Sequence, residues 1–144
     1  MKVLTDDQQM ILHSGVSAFE AKEFARAAQM LGGLADEGVA EAQYRMAVML
    51  QNGLGAVVNP MKAVAWMKLA AEQGHGFAQH GLGFMYLHGE CLDKNEEQAV
   101  LWFSKAAEQD LPGAQMMLAD CYEAGLGVEK DEGKAQFWRD KSES

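Results

Sequence analysis

Apolar and polar positions along the chain follow a short rhythm nested in a long one. Ala78, Leu82, Met85 and Tyr86 recur at helical spacing, giving that stretch one apolar side, the mark of an amphipathic helix. Gly89 closes it, because glycine tolerates the left-handed conformation that commonly ends a helix. After a loop of about five residues a second helical pattern starts, shown in another part of the chain by Ala63, Trp66, Ala70 and Ala71. There the tryptophan is expected to fill the space between helices, and the alanines to let backbones approach closely. Gly74 ends that helix.

The long rhythm has a period of 36 residues. Trp66, Trp102 and Trp138 keep it, as do Gly53, Gly89 and Gly125, and so do the pairs Ala42-Gln43, Ala78-Gln79 and Ala114-Gln115. Asn59, Asn95 and Asp131 form a column of short polar residues placed to cap the second helix of each unit. Pro60 suits a first helical position, and Asn95 with Gln98 has an approximate capping-box spacing. Residues 5 to 37 hold a degenerate copy: Arg26-Ala27 aligns with Lys62-Ala63, Met30 stands in the tryptophan column, and a tight turn at Ala21-Lys22 replaces the long loop. These columns predict an all-α chain of four helix-turn-helix repeats and about eight helices. The repeats fall at about 5–38, 39–74, 75–110 and 111–144 of one domain, 1–144.

Composition narrows what such a chain does. With 49% hydrophobic and 23% charged residues it is expected to fold compactly without metal or disulfides. A net charge of -9 repels a phosphate backbone, which argues against nucleic acid as a partner. No run approaches a membrane span, and MKVLTDDQQM lacks a signal peptide's apolar core, so a cytoplasmic location is expected. A chain from which a signal peptide had been removed, periplasmic or secreted, would read the same. Cys91 and Cys121 match no zinc or redox spacing and read as free thiols.

Ala42 to Gly74, AQYRMAVMLQNGLGAVVNPMKAVAWMKLAAEQG, and Ala78 to Asp110, AQHGLGFMYLHGECLDKNEEQAVLWFSKAAEQD, each resemble a full Sel-1-like repeat, a relative of the tetratricopeptide repeat. With Ala114 to Lys141 the resemblance covers about two thirds of the chain. It implies a right-handed alpha-solenoid acting as an adaptor in signalling or assembly. A cysteine-rich subset of the family is linked to beta-lactam binding and carries a disulfide in each repeat. Here Ala71, Ala107, Ala78 and Ala114 stand near those cysteine positions, so the resemblance to that subset fails. Cys91 is another departure: it replaces the second glycine of the pairs Gly53, Gly55 and Gly125, Gly127, and is expected to alter its loop.

Catalytic chemistry finds no foothold. His13, His75, His80 and His88 lack the i, i+4 spacing that grips a metal from one helix, and His88 with Cys91 would supply only two ligands. Neither cysteine has a base placed by a motif, and no Gly-x-Ser-x-Gly or Ser-x-x-Lys occurs. No metal, no cofactor and no enzymatic activity are therefore expected. The tryptophans and most of the ten methionines, Met46 and Met85 among them, read as packing rather than as ligand contacts.

One feature points to a function. In tetratricopeptide-like stacks the first helices line the concave face, and the positions turned away from their packing side meet a ligand. Those positions are Phe77, His80, Phe84, Leu87 and His88 in the third repeat, and Glu41, Tyr44, Val48, Gln51 and Asn52 in the second. The fourth offers Met116, Asp120 and Glu123, and a looser alignment of the first offers Leu12, Val16 and Phe19. The expectation is a scaffold binding a peptide or protein segment, with Tyr44, Val48, Phe77, His80, Phe84, Leu87 and Met116 on the groove. Asp120 and Glu123 would attract a basic group. The competing reading is that curvature buries this face. A regulator or toxin-neutralising partner would use the same groove, and a beta-lactam-binding or hydrolysing enzyme is the alternative from another class. The last helix shows no obvious polar cap, which makes its outer face a place for a second copy to pair; a monomer or weak homodimer is expected.

Overall fold

The computed structural model describes residues 2–144, and among them the chain forms eight helices and no strand. They are α1 (Asp6–Glu20), α2 (Phe24–Asp36), α3 (Ala40–Asn52), α4 (Pro60–Glu72), α5 (Gly76–His88), α6 (Glu96–Ala107), α7 (Pro112–Ala124) and α8 (Glu132–Glu143). The chain is an all-α repeat, and its contacts group into two compact units, one up to His75 and one from Gly76. Within each unit every helix packs on the next in sequence, as short helix-to-helix connections require.

The caps are where the repeating columns put them. Asn59, Asn95 and Asp131 accept the backbone N–H of Lys62, Gln98 and Lys134 at 3.1, 3.1 and 3.0 Å, each side-chain cap contributing about 1 kcal/mol. Gly53 and Gly125 close α3 and α7 with φ of 69° and 71°. Cys91 corrects an expectation. Its φ of 69° matches the 68° and 70° of Gly55 and Gly127, so the loop keeps its path and a cysteine adopts a glycine conformation. At Gly55 and Gly127 an added Cβ would fall 2.5 and 2.2 Å from the backbone of Phe24 and Glu96, a close approach that explains glycine there.

The core column is not the tryptophan column. Trp66, Trp102 and Trp138 are all half-buried, and lysine ammonium groups lie over two of them, Lys105 at 4.6 Å from Trp102 and Lys141 at 5.5 Å from Trp138. One residue later, at the same period, come Leu31, Met67 and Phe103, with 0%, 2% and 0% of their surface exposed. In the first unit Leu31, Leu34 and Ala35 of α2 cluster with Val39 and Ala42 at the start of α3. In the second unit Phe103, Ala106 and Ala107 of α6 cluster with Ala114 and Leu118 of α7. In α8 these columns carry Arg139, Ser142 and Glu143, and Ala135 is the buried residue of that helix. The three positions that pack on the following helix in α2 and α6 are polar in α8.

The repeated Ala-Gln pair has a physical reason of its own. Gln43 and Gln115 are buried, and their amides donate to the carbonyls of Ala35 and Ala107, eight residues back at the end of the preceding helix, at 3.2 and 3.1 Å. Gln73 and Gln109 in turn donate to the side-chain oxygens of Gln43 and Gln79 at 2.8 Å. A buried amide that kept no partner would cost about 1–3 kcal/mol, so Gln43 and Gln115 each tie the start of their helix to the end of the one before.

Candidate binding surface

The side chains of α5 divide cleanly. Ala78, Gln79, Leu82, Gly83, Met85 and Leu87 are buried, whereas Phe77 and Phe84 are 56% and 41% exposed and His88 is exposed. Phe77, His80, Phe84 and His88 are spaced three or four residues apart and form one ridge along the helix. The Phe84 ring lies 4.3 Å from that of His88. His80 is half-buried, its ring 5.7 Å from Phe103 and beside the start of α7 at Gly113, and burial lowers its pKa from the ordinary 6.5. Leu87 is the exception among the expected groove residues. It is only 8% exposed and belongs to the core with Ala99 and Val100, because with His80 it lies on the edge of the ridge turned toward α6.

The ridge of α7 runs through Met116, Asp120 and Glu123, all exposed. Met116 is 42% exposed and accepts a contact from the Ser142 hydroxyl at 3.1 Å. Asp120 and Glu123 both hold Arg139 of α8, whose Nη2 lies 3.2 Å from Asp120 and donates also to Glu123. The acidic pair expected to await a basic group therefore already holds one from its own chain. Nothing in the sequence rhythm announced this, except that Arg139 breaks the Leu31, Met67, Phe103 column.

On α3, Tyr44 and Val48 are half-buried. Tyr44 stacks on His75 with ring centroids 4.9 Å apart, and burial raises the pKa of its phenol. His75 donates to the carboxylate of Glu41, which also accepts from Arg45 Nε at 3.1 Å. The hydrogen bond from His75, opposed by partial burial and aided by the charges of His75 and Arg45, holds the Glu41 pKa below 4.5. Beside this cluster lies an apolar hollow of about 380 Å³ lined by Leu4, Leu12, Val39, Ala40, Glu41 and His75. Sequence reasoning missed the cluster. Its signal was His75 standing in a column with Val39 and Leu111.

Cys91 and Cys121 are both free thiols, and burial followed by the charges of Asp120 and Glu96 pushes Cys121 up to about 11. Among the described residues no group of three or more His, Cys, Asp or Glu could hold a metal ion, and no helix is long and apolar enough to cross a membrane.

The Sel1 repeat pattern matches residues 40–75, 76–111 and 112–139. The chain belongs to the Sel1 repeat family. Sel1 repeat proteins serve generally as protein-interaction scaffolds. A Sel1 repeat protein from Oxalobacter formigenes is similar at 31% identity and a TM-score of 0.88, over 92% of this chain and 53% of that one. A protective antigen of uropathogenic Escherichia coli strains, displaying the same repeat fold, is similar at 31% identity and a TM-score of 0.88, over 94% of this chain and 30% of that one. The chain thus spans about half of the first relative and less than a third of the second. Helicobacter pylori cysteine rich protein B shares the fold at 21% identity and a TM-score of 0.60, over 97% of this chain and 89% of that one. No curated protein sequence matches the chain. The α1–α2 pair lies outside the matched repeats, yet it forms a helix pair like the others.

Proposed function

We propose that this chain is a non-enzymatic protein-interaction module that receives a peptide or protein segment on the outward ridges of its first helices. The strongest such surface is on α5 and α7. The observation that carries the reading is Phe84, 41% exposed on a ridge without any charged residue, with Phe77 exposed on the same ridge and Met116 exposed on that of α7. Large apolar side chains left together in water favour a partner that covers them. Rigid helices present this face preformed, so little is lost to ordering on binding, and a few aromatic anchors carry most of the affinity. Tyr44 and Val48 offer a smaller, half-buried face on α3.

The free thiols and the lack of a cysteine framework give no support to the beta-lactam alternative. Phe84→Ala tests the proposal: partner binding is expected to weaken by about 2 kcal/mol or more, the usual loss at an aromatic hot spot, with the helices intact. Unchanged binding by a folded Phe84→Ala protein would end the case for this ridge.

A further inference from the structure

We infer that the segment received by the α5 and α7 ridges is basic as well as apolar, and that its arginine or lysine takes the place on Asp120 and Glu123 now held by Arg139. The inference rests on the reading of these ridges as a docking surface and adds the chemistry of what docks.

The apolar half of the argument comes from α5. Between Gly76 and His88 the helix carries no Asp, Glu, Lys or Arg, so its ridge offers aromatic rings and imidazoles and no carboxylate, ammonium or guanidinium. The basic half comes from what surrounds it. From Gly76 onward the chain has thirteen acidic residues and six basic ones, a field that draws a cationic segment in and slows the approach of an anionic one.

Asp120 and Glu123 localise that attraction. They follow Met116 on the α7 ridge at the helical spacing 116, 120, 123, which places an acid pair next to an apolar anchor. The two carboxylates converge on one guanidinium nitrogen, Arg139 Nη2, so the pair has the geometry to receive a guanidinium. The acid side chains are 58% and 56% exposed and that of Arg139 29%, so the carboxylates face water and the ion pair, lying at the surface, is weak. Arg139 has no second task that would hold it there. It stands where Leu31, Met67 and Phe103 fill the core of the earlier repeats, and here the column is polar. A partner's arginine can therefore replace Arg139 without breaking any side-chain hydrogen bond other than those to Asp120 and Glu123.

A random peptide library displayed on phage, selected on the whole chain, tests this. The enriched peptides are expected to combine Arg or Lys with large apolar residues and to bind at least about tenfold more weakly to Phe84→Ala, a loss of 1.4 kcal/mol or more. They should also weaken on the Asp120→Asn, Glu123→Gln double variant. Arg139→Gln should tighten them by more than Lys94→Gln, which makes the same change in net charge away from the pair. Circular dichroism establishes that each variant is folded.

Neutral or acidic peptides that still depend on Phe84 would overturn the inference and leave the docking surface standing. Equal effects of Arg139→Gln and Lys94→Gln would overturn the exchange at Asp120 and Glu123. Peptides indifferent to Phe84→Ala, or a selection that yields no Phe84-dependent peptide, would remove the docking surface and the inference together.

Discussion

Truncating Phe103 and truncating Phe84 should have opposite consequences, although the two rings belong to adjacent helices of one repeat. Phe103 has 0% of its surface exposed, its ring lies where a Cβ on Gly83 would come within 2.8 Å, and it clusters with Ala114 and Leu118 across the next helix. No neighbour is free to fill the space, so Phe103→Ala loses both transfer energy and contacts around a cavity, about 3–5 kcal/mol. Against a typical domain stability of about 5–15 kcal/mol that is a large share. Phe84 is 41% exposed, so Phe84→Ala removes only part of a burial worth about 1.5–3 kcal/mol when complete, and is expected to cost about 1 kcal/mol. Half-buried Trp102 should fall between the two. Urea unfolding followed by helical circular dichroism measures all three, with unchanged m-values showing that stability alone has moved. If Phe84→Ala destabilises as much as Phe103→Ala, the ridge is packed interior and its assignment as a surface is refuted.

The other expectations follow from single contacts. Gly83→Ala gains about 1 kcal/mol of helix propensity but drives a Cβ into the Phe103 ring, so a net loss is expected; adding Phe103→Leu should relieve it and make the pair more stable than the single effects sum to, in a double-mutant cycle. The Glu41 pKa is lowered in the folded chain, so its contribution is full above 4.5 and is lost as pH falls through the folded value; melting temperature should drop less steeply below pH 4.5 in Glu41→Gln than in the parent, and identical slopes would contradict the His75 pairing. Cys121, 1% exposed and raised to about 11, should react with a thiol reagent far more slowly than Cys91 in native protein, while both react in denaturant; equally fast native reaction would contradict its burial.

The period made the architecture legible because caps and glycine stops act locally. Asn59, Asn95 and Asp131 bond to amides three residues away, and Gly53 and Gly125 set their own φ, so a single sequence carries the whole cause. Packing was less legible because it is decided between helices. Tryptophan is the more conspicuous residue, yet the column beside it, Leu31, Met67 and Phe103, points to the centre. Gly83 shows how such detail hides: its lack of a side chain makes sense only once the Phe103 ring is placed against it. On the binding surface, helical spacing found Phe77, Phe84, Met116, Asp120 and Glu123 at exposed positions, and erred on Leu87, whose edge of the helix is covered by α6. The Arg139 contact and the His75–Glu41 pair were invisible because each joins residues distant in sequence through side chains that depart from their columns.

The central claim is that the chain works by holding another protein on the α5 ridge, and site-specific photo-crosslinking in the cells that make it tests this most directly. Benzoylphenylalanine is placed at Phe84 in one protein and at Met61, 84% exposed at the start of α4, in another. Covalent adducts to a distinct protein are expected from position 84 and not from position 61. Adducts that form equally from both positions, or only from position 61, would contradict the claim.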